Sequence, residues 1–407
     1  MNRFRVLTLV VSVVLLIGVL LIGSGNTTAL QPDTSVVATD DLTWIDLGQV
    51  LPDGTAINAI TSTPGGQIVG GSAVSPVMLF GYDIAAGANR QKATTFAVGV
   101  LMPRDSSAVY VGTLAIGAQG HLWAYTPSTD SLVDLGQINA EYAQGLTIGR
   151  DGKVYVAACC NGAFSVYDPA TASWDYNGQI VAGQRRLSAL ATAADGMIYG
   201  TTSRIWTTPA GGAVLYKYDP ATDVDTILHT ISPGLRESWN LLYNPLDQRL
   251  YGSVSYQMVP RLFVYDPQQP ALGIQDLGAV GTTSGDLLPG EMAIAPDGKV
   301  YVKASGSLYR FDPARPGDGL VFMSAGVPGR MAFGADGYLY RMLDRRLLRS
   351  AGPLSPPASS IFGHVRDQNG AGLADVNVCT QTGVCATTDG NGAGRGHSRR
   401  DSSALWH

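Results

Sequence analysis

Residues 145–180 read GLTIGRDGKVYVAACCNGAFSVYDPATASWDYNGQI, and this stretch decides the fold. It predicts short strands rich in apolar and aromatic residues, at 146–148, 154–158, 164–167 and 174–179. The Asp151-Gly152 pair between the first two strands suits a hairpin turn, because Asp and Gly adopt left-handed backbone angles at low cost. The stretch therefore predicts one small antiparallel sheet of consecutive strands.

The same order of features returns along the chain. A turn, usually Asp-Gly, precedes a strand with an anchor residue, and a later strand ends in Tyr-Asp-Pro or a variant of it. The anchors are Ile68, Tyr110, Tyr155, Tyr199, Tyr251, Tyr301 and Tyr340, at steps of 42, 45, 44, 52, 50 and 39 residues. This spacing matches the period of a four-stranded propeller blade. We therefore predict an all-β chain whose residues 41–352 form a seven-bladed β-propeller.

The last repeat runs out after its third strand, at residues 345–349. A candidate for the missing strand lies near the N-terminus, where residues 43–50, TWIDLGQV, nearly repeat residues 131–138, SLVDLGQI. We expect residues 42–50 to complete the last blade. Ring closure of this kind removes open strand edges, which invite aggregation.

The Tyr-Asp-Pro-Ala-Thr and Asp-Gly turns resemble those of the broad superfamily of secreted propellers with streptogramin-lyase-like, gluconolactonase-like and quinoprotein-like members. The resemblance covers residues 41–352. It implies the propeller fold. It does not choose a function, because this ring serves both enzymes and binding platforms.

The N-terminus predicts export. Arg3 and Arg5 precede an almost entirely apolar run over residues 6–22, which is typical of a signal peptide or an uncleaved membrane anchor within residues 1–31. Either reading places the rest of the chain outside the cytoplasm, secreted or held at the membrane by this segment. With 27 Lys and Arg against 32 Asp and Glu, the net charge of −5 argues against nucleic acid as a partner.

The C-terminal part predicts a second, incomplete module. A Pro-rich linker at 353–359 leads to residues 360–392, which look like the opening of a carboxypeptidase-regulatory-like domain, a β-sandwich with a carbohydrate-binding-like fold. From about Ala393 no strand pattern is visible, so we hypothesise a truncation or frameshift there. Cys379 and Cys385 could form a disulfide between the arms of a hairpin or remain free thiols.

The mouth of the propeller channel is the default place for a site. The repeats project charged and polar residues to equivalent positions there, namely Glu141, Tyr142, Arg186, Glu237, Glu291 and Arg330. They predict a site for a polar or anionic ligand. Glu141, Glu237 and Glu291 are also candidate ligands for Ca²⁺, the one possible cofactor. The alternative is that ordinary surface charges fall on loop ends.

Longer loops on the same face add further candidates. Arg204, Trp206 and Tyr256 suit stacking on a sugar or another ring, and His121 could act as a lone general base. Cys159 and Cys160 could form a vicinal disulfide, which the resemblance to quinoprotein propellers associates with cofactor stacking. The sequence favours one buried and one exposed thiol.

No nucleophile elbow, zinc-protease or phosphate-loop motif is present in the sequence. We therefore expect a ligand-binding or scaffold module for carbohydrate or a protein partner. The alternative is a metal-dependent lyase or lactonase that acts on sugar-derived substrates at the channel mouth.

Overall fold

The computed structural model describes residues 42–357 except 54, 116, 204–212, 233–236, 257, 286, 289 and 328, together with the segments 360–364, 376–379, 385–387 and 393–397. The described chain is built from short β-strands. Three single-turn 3-10 helices lie between strands, at Pro127–Thr129, Pro270–Leu272 and Pro316–Asp318. No described helix is long and apolar enough to cross a membrane.

Consecutive strands pair antiparallel in sets of four. Set 1 contains β2 to β5, at Ile57–Ser62, Gln67–Ser72, Met78–Asp83 and Ala88–Ala93. Set 2 contains β6 to β9, at Ala97–Pro103, Val109–Leu114, His121–Thr126 and Ser131–Gln137. Set 3 contains β10 to β13, at Tyr142–Ile148, Val154–Cys159, Ala163–Asp168 and Ser173–Gln179. Set 4 contains β14 to β17, at Leu187–Thr192, Ile198–Thr202, Ala213–Asp219 and Val224–Ser232.

The remaining sets follow the same order. Set 5 contains β18 to β21, at Leu241–Asn244, Arg249–Val254, Arg261–Tyr265 and Ile274–Ala279. Set 6 contains β22 to β25, at Met292–Ile294, Val300–Ala304, Ser307–Phe311 and Leu320–Ser324. Set 7 contains β26 to β28, at Met331–Phe333, Leu339–Leu343 and Arg346–Ser350, with β1, at Trp44–Gln49, on its outer edge.

Strand β1 completes set 7, as the sequence predicts. It pairs antiparallel with β28, in a register that places Trp44 opposite Ser350 and Asp46 opposite Leu348. The first strand of each set packs beside the first strand of the next, and β26 packs beside β2, so the ring is closed. The chain is a β-propeller, and we interpret the seven sets as its blades.

The core lies between neighbouring sheets and uses a repeated fit of glycine against an aromatic ring. Gly200 on β15 is paired with Tyr216 on β16. A Cβ on this glycine would lie 2.3 Å from the Tyr216 ring, so only glycine leaves room for it. Gly70 with Phe80 and Gly252 with Phe263 repeat the arrangement in sets 1 and 5.

Four of the tyrosine anchors also reach back to the turn before their own strand. The Tyr155 hydroxyl donates to Asp151 at 2.6 Å, and the Tyr199 hydroxyl donates to Asp195 at 2.8 Å. Equivalent bonds join Tyr251 to Asp247 and Tyr340 to Asp336. The recurring Asp and Tyr of the sequence therefore pin the first hairpin of four sets.

The two ends of the propeller chain meet at the face that carries these hairpin turns. Leu42 and Trp44 pack in the same apolar cluster as Leu354 of the linker. The N–H groups of Leu354 and Ser355 both donate to the Gly337 carbonyl, and the Ser355 hydroxyl accepts from the Asp297 N–H. The start of the linker is thus held across sets 6 and 7.

Four short strands lie beyond the linker. Strand β29, Ser360–His364, pairs with β32, Ala393–His397, and β30, Asn377–Cys379, pairs with β31, Cys385–Thr387. The strand at Ala393 differs from the expectation that no strand follows this position, because backbone pairing does not need an alternating apolar pattern. The backbones of Cys379 and Cys385 are directly opposite each other, and the disulfide between them stays a prediction.

Candidate functional site

A central channel of about 420 Å³ runs through the ring and is lined by the first strand of each set. At Gly99, Gly145 and Gly290 of the wall, an added Cβ would meet the neighbouring set, so these glycines let adjacent sets pack closely, while Trp239 and Asn240 bring larger groups to the channel. The hairpin turns with Asp-Gly lie at one end. The loops that lead into the first strands lie at the other end, which we call the mouth.

The mouth is where the structure places the residues that the repeats project there. Tyr142 opens β10, and Arg186, Glu291 and Arg330 directly precede β14, β22 and β26. Glu237 lies in the loop before β18, where its backbone pairs with Ser255. The loops therefore deliver these side chains from five consecutive sets to one end of the channel.

A chain of contacts joins sets 3, 4 and 5 at the mouth. The Arg186 Nε lies 3.3 Å from the Cys159 Sγ, and the Arg186 guanidinium stands over the Trp239 ring, with Cζ 4.9 Å from the ring centroid. The Trp239 indole N–H donates to the Glu237 carboxylate at 2.8 Å. Contact between a guanidinium and an indole face is favourable because the ring face is electron-rich.

A second group joins sets 6 and 7 and is more deeply buried. The Lys303 Nζ lies 2.7 Å from the Glu291 Oε1, and the Arg330 Nη1 lies 3.7 Å from the same oxygen. The Glu291 Oε2 accepts the Leu288 N–H at 2.7 Å. The side chain of Lys303 is 7% exposed, that of Glu291 11% and that of Arg330 14%. One carboxylate therefore faces two cations away from bulk water.

Amide side chains link these groups to sets 1 and 2, and the Ala115 N–H, which donates to the Glu141 carbonyl at 3.0 Å, links set 2 to set 3. The Asn240 Nδ2 donates to the Leu288 carbonyl, which links set 5 to set 6. The Arg330 Nε donates to the Asn58 carbonyl, and the Asn58 Nδ2 donates to the Val98 carbonyl, which links set 7 to sets 1 and 2. We call this ring of contacts the polar girdle.

Burial changes the proton affinity of two girdle groups. Desolvation lowers the pKa of Arg330, and the nearby Glu291 carboxylate opposes this change. Desolvation raises the pKa of the Tyr142 hydroxyl, with Glu141 raising it further and Arg186 lowering it. Tyr142, Glu141 and Arg186 are therefore close enough to interact electrostatically.

The state of the two adjacent cysteines differs from the one that the sequence favours. Cys159, the last residue of β11, and Cys160 form a disulfide across a cis peptide bond. The expectation of two thiols is therefore wrong. The disulfide abuts Arg186 at the mouth.

The other predicted residues do not all join the girdle. His121 starts the third strand of set 2 and its Nδ1 lies 3.0 Å from the Asp134 carboxylate on the outer strand β9. Tyr256 follows Ser255, the backbone partner of Glu237, and adopts a left-handed φ of +78°. Arg204 and Trp206 lie outside the described residues.

The candidate metal ligands are held by protein groups. Glu291 accepts from Lys303 and the Leu288 N–H, and Glu237 accepts from Trp239. Within the described part of the chain, no group of three or more His, Cys, Asp or Glu side chains is arranged to hold a metal ion.

Four girdle residues were missed by sequence reasoning, namely Asn58, Trp239, Asn240 and Lys303. Lys303 lies in the buried strand β23, VYVKA, where a lone charge among apolar residues is a usable signal because buried lysines are rarely unpaired. Trp239 lies two residues after Glu237, in a loop with no repeat pattern. Nothing in its surroundings distinguishes it from a Trp that covers its own blade.

Comparison with known proteins supports the fold. No protein-family model matches the sequence, and no curated protein matches it. A catalytically inactive virginiamycin B lyase from Staphylococcus aureus, solved with quinupristin, has a TM-score of 0.60 at 9% identity over 76% of this chain and 98% of that chain. Hydrazine synthase from Kuenenia stuttgartiensis has a TM-score of 0.58 at 15% identity, over 76% and 100%.

A third similar structure is the extracellular domain of a putative one-component system from B. thetaiotaomicron. It has a TM-score of 0.54 at 14% identity, over 86% of this chain and 45% of that chain. Such low identities show a shared fold alone.

Proposed function

We propose that this protein is an extracytoplasmic ligand-binding module whose site is the mouth of the propeller channel. The observation that carries the proposal is the polar girdle, which surrounds one end of an open channel of about 420 Å³. Trp239 supports a ligand with a ring, because its indole lines the channel while Arg186 covers part of it. A carbohydrate fits this combination of an aromatic ring and hydrogen-bonding groups. The signal peptide or membrane anchor predicted within residues 1–31 is the basis for the proposed location.

The mouth offers two acceptors to such a ligand on the set 3 side. Gln144 lines the channel, and its buried Oε1 has no hydrogen-bond partner among the described residues. Glu141 precedes it at the start of β10. A buried acceptor without a partner is costly, so a ligand hydroxyl or N–H that reaches Gln144 gains a hydrogen bond without displacing one.

The test is a ligand screen on the full chain with two matched variants. Neutral and acidic mono- and oligosaccharides are compared by thermal shift and then by calorimetry. Trp239→Ala should weaken the binding of any hit about tenfold or more, since the loss of an aromatic stacking surface costs roughly 1–3 kcal/mol. Tyr176→Ala, at an outer aromatic that is 44% exposed, should bind normally. A hit that is lost in Tyr176→Ala and kept in Trp239→Ala would move the site to the rim.

The metal-dependent lyase or lactonase remains a second candidate because the related fold includes a lyase. In this chain a Ca²⁺ ion at Glu291 would have to displace Lys303 and bring a second carboxylate close. We therefore expect Ca²⁺ alone to leave the melting temperature unchanged. A clear increase that Glu291→Gln abolishes would favour the enzyme.

A further inference from the structure

The charges of the polar girdle are unevenly distributed around the mouth. On the side of sets 6 and 7, Lys303 and Arg330 both face the single carboxylate of Glu291. The group on the side of sets 6 and 7 thus has an excess of one positive charge.

This group carries an electrostatic cost in the free protein. Lys303 and Arg330 are only 7% and 14% exposed, so water solvates them poorly. The Arg330 Nη1 is 3.7 Å from the Glu291 Oε1, which is longer than a hydrogen bond, while Lys303 takes that oxygen at 2.7 Å. Arg330 therefore interacts more weakly than Lys303 with the carboxylate of Glu291.

The group also lies beside the open channel. Gly290 lines the channel, and a Cβ at this position would come within 3.3 Å of the Arg330 Cδ. The Arg330 side chain therefore packs directly against the backbone of a residue that lines the channel. An incoming anion would supply the negative charge that the two cations lack.

Resting on the proposed function, we infer that the ligand carries an oxyanion, a carboxylate or a phosphate, which binds Arg330 with Lys303 behind it. Paired cations favour such groups because hydrogen bonds between charged partners are stronger than neutral ones. The ring of the same ligand lies toward Trp239 and its hydroxyl groups toward Gln144. An acidic sugar has all three features.

The experiment compares D-galacturonate, D-galactose 6-phosphate and D-galactose on the full chain by calorimetry or ligand-observed NMR. We expect at least one acidic probe to bind about tenfold tighter than galactose, the usual scale of one charged hydrogen bond. The acidic probe with the higher affinity shows whether the site prefers a carboxylate or a phosphate. Its affinity should fall as salt is raised, because mobile ions screen the attraction.

Two variants at the same buried group should act in opposite directions. Lys303→Met removes a cation and should weaken the acidic probe about tenfold, whereas Glu291→Gln removes the competing carboxylate and should strengthen it. Lys92→Met, at a surface lysine paired with Asp130, is the matched control and should change nothing. General damage to the fold would weaken binding in both girdle variants, so opposite signs are diagnostic.

Several outcomes overturn the inference. Equal affinity for acidic and neutral probes, loss of binding in both girdle variants, or no binding of either acidic probe would each do so. Binding of galactose alone, lost in Trp239→Ala, would overturn the oxyanion and leave the proposed function in place. A ligand whose affinity is unchanged by Trp239→Ala and by both girdle variants would overturn the oxyanion inference and the proposed function together.

Discussion

Single hydroxyl groups have opposite roles in this core. The Tyr155 side chain is only 2% exposed, and its hydroxyl donates to Asp151. The Tyr216 hydroxyl is buried with no partner among the described residues. The first of these hydroxyls stabilises the folded state, and the second costs desolvation free energy without a compensating bond.

Removal of each hydroxyl should therefore have a different effect. Tyr155→Phe leaves Asp151 without its donor and should lower the free energy of unfolding by about 1–2 kcal/mol. Tyr216→Phe should be neutral or slightly stabilising. Urea unfolding followed by circular dichroism measures both. Equal losses in the two variants would show that the Tyr155 bond contributes nothing specific.

The same bond gives a pH dependence. Burial, reinforced by Asp151, raises the pKa of Tyr155 above its ordinary value of 10.0. A folded-state pKa that is raised contributes stability that is fully present below pH about 10 and is lost as the pH rises toward the folded-state value. The stability gap between the wild type and Tyr155→Phe should thus be constant below pH about 9 and narrow above pH about 10.

At the scale of one strand, a glycine is required where an aromatic ring crosses it. Gly200→Ala would place a Cβ 2.3 Å from the Tyr216 ring, whose neighbours in the core leave it no room to move. We expect a loss of about 2–3 kcal/mol from overpacking. Gly317→Ala, where no atom lies within 4 Å of the new Cβ, is the control and should be neutral. Thermal unfolding measures the stability of both variants against that of the wild type.

Strands and turns could be predicted because each leaves a local signal. Asp151-Gly152 and Tyr155 are close in sequence and bond to each other, so their repetition along the chain reveals the hairpin from sequence alone. The girdle has no such signal. Lys303 meets Glu291 through the pairing of two strand ends in set 6, and Arg330 joins them only after set 7 has packed against set 6. The disulfide between Cys159 and Cys160 leaves no repeated pattern in the sequence either.

At the scale of the whole molecule, β1 is the strand that closes the ring. Deletion of residues 42–49 removes the partner of β28 and exposes its backbone edge. We expect a lower melting temperature and concentration-dependent association, because open edges pair with other chains. Light scattering and calorimetry measure the two effects. Ile45→Thr, at a side chain that is 40% exposed, keeps the backbone pairs and should behave as the wild type.

The apolar cluster that contains Leu42, Trp44 and Leu354 holds the two ends of the propeller chain together on one face. Both polypeptide connections leave from the face opposite the mouth, side by side. Anything tethered through either connection, a bilayer or a cell-wall component included, pulls on that one spot. The mouth, which we propose as the binding end, then points away from the support.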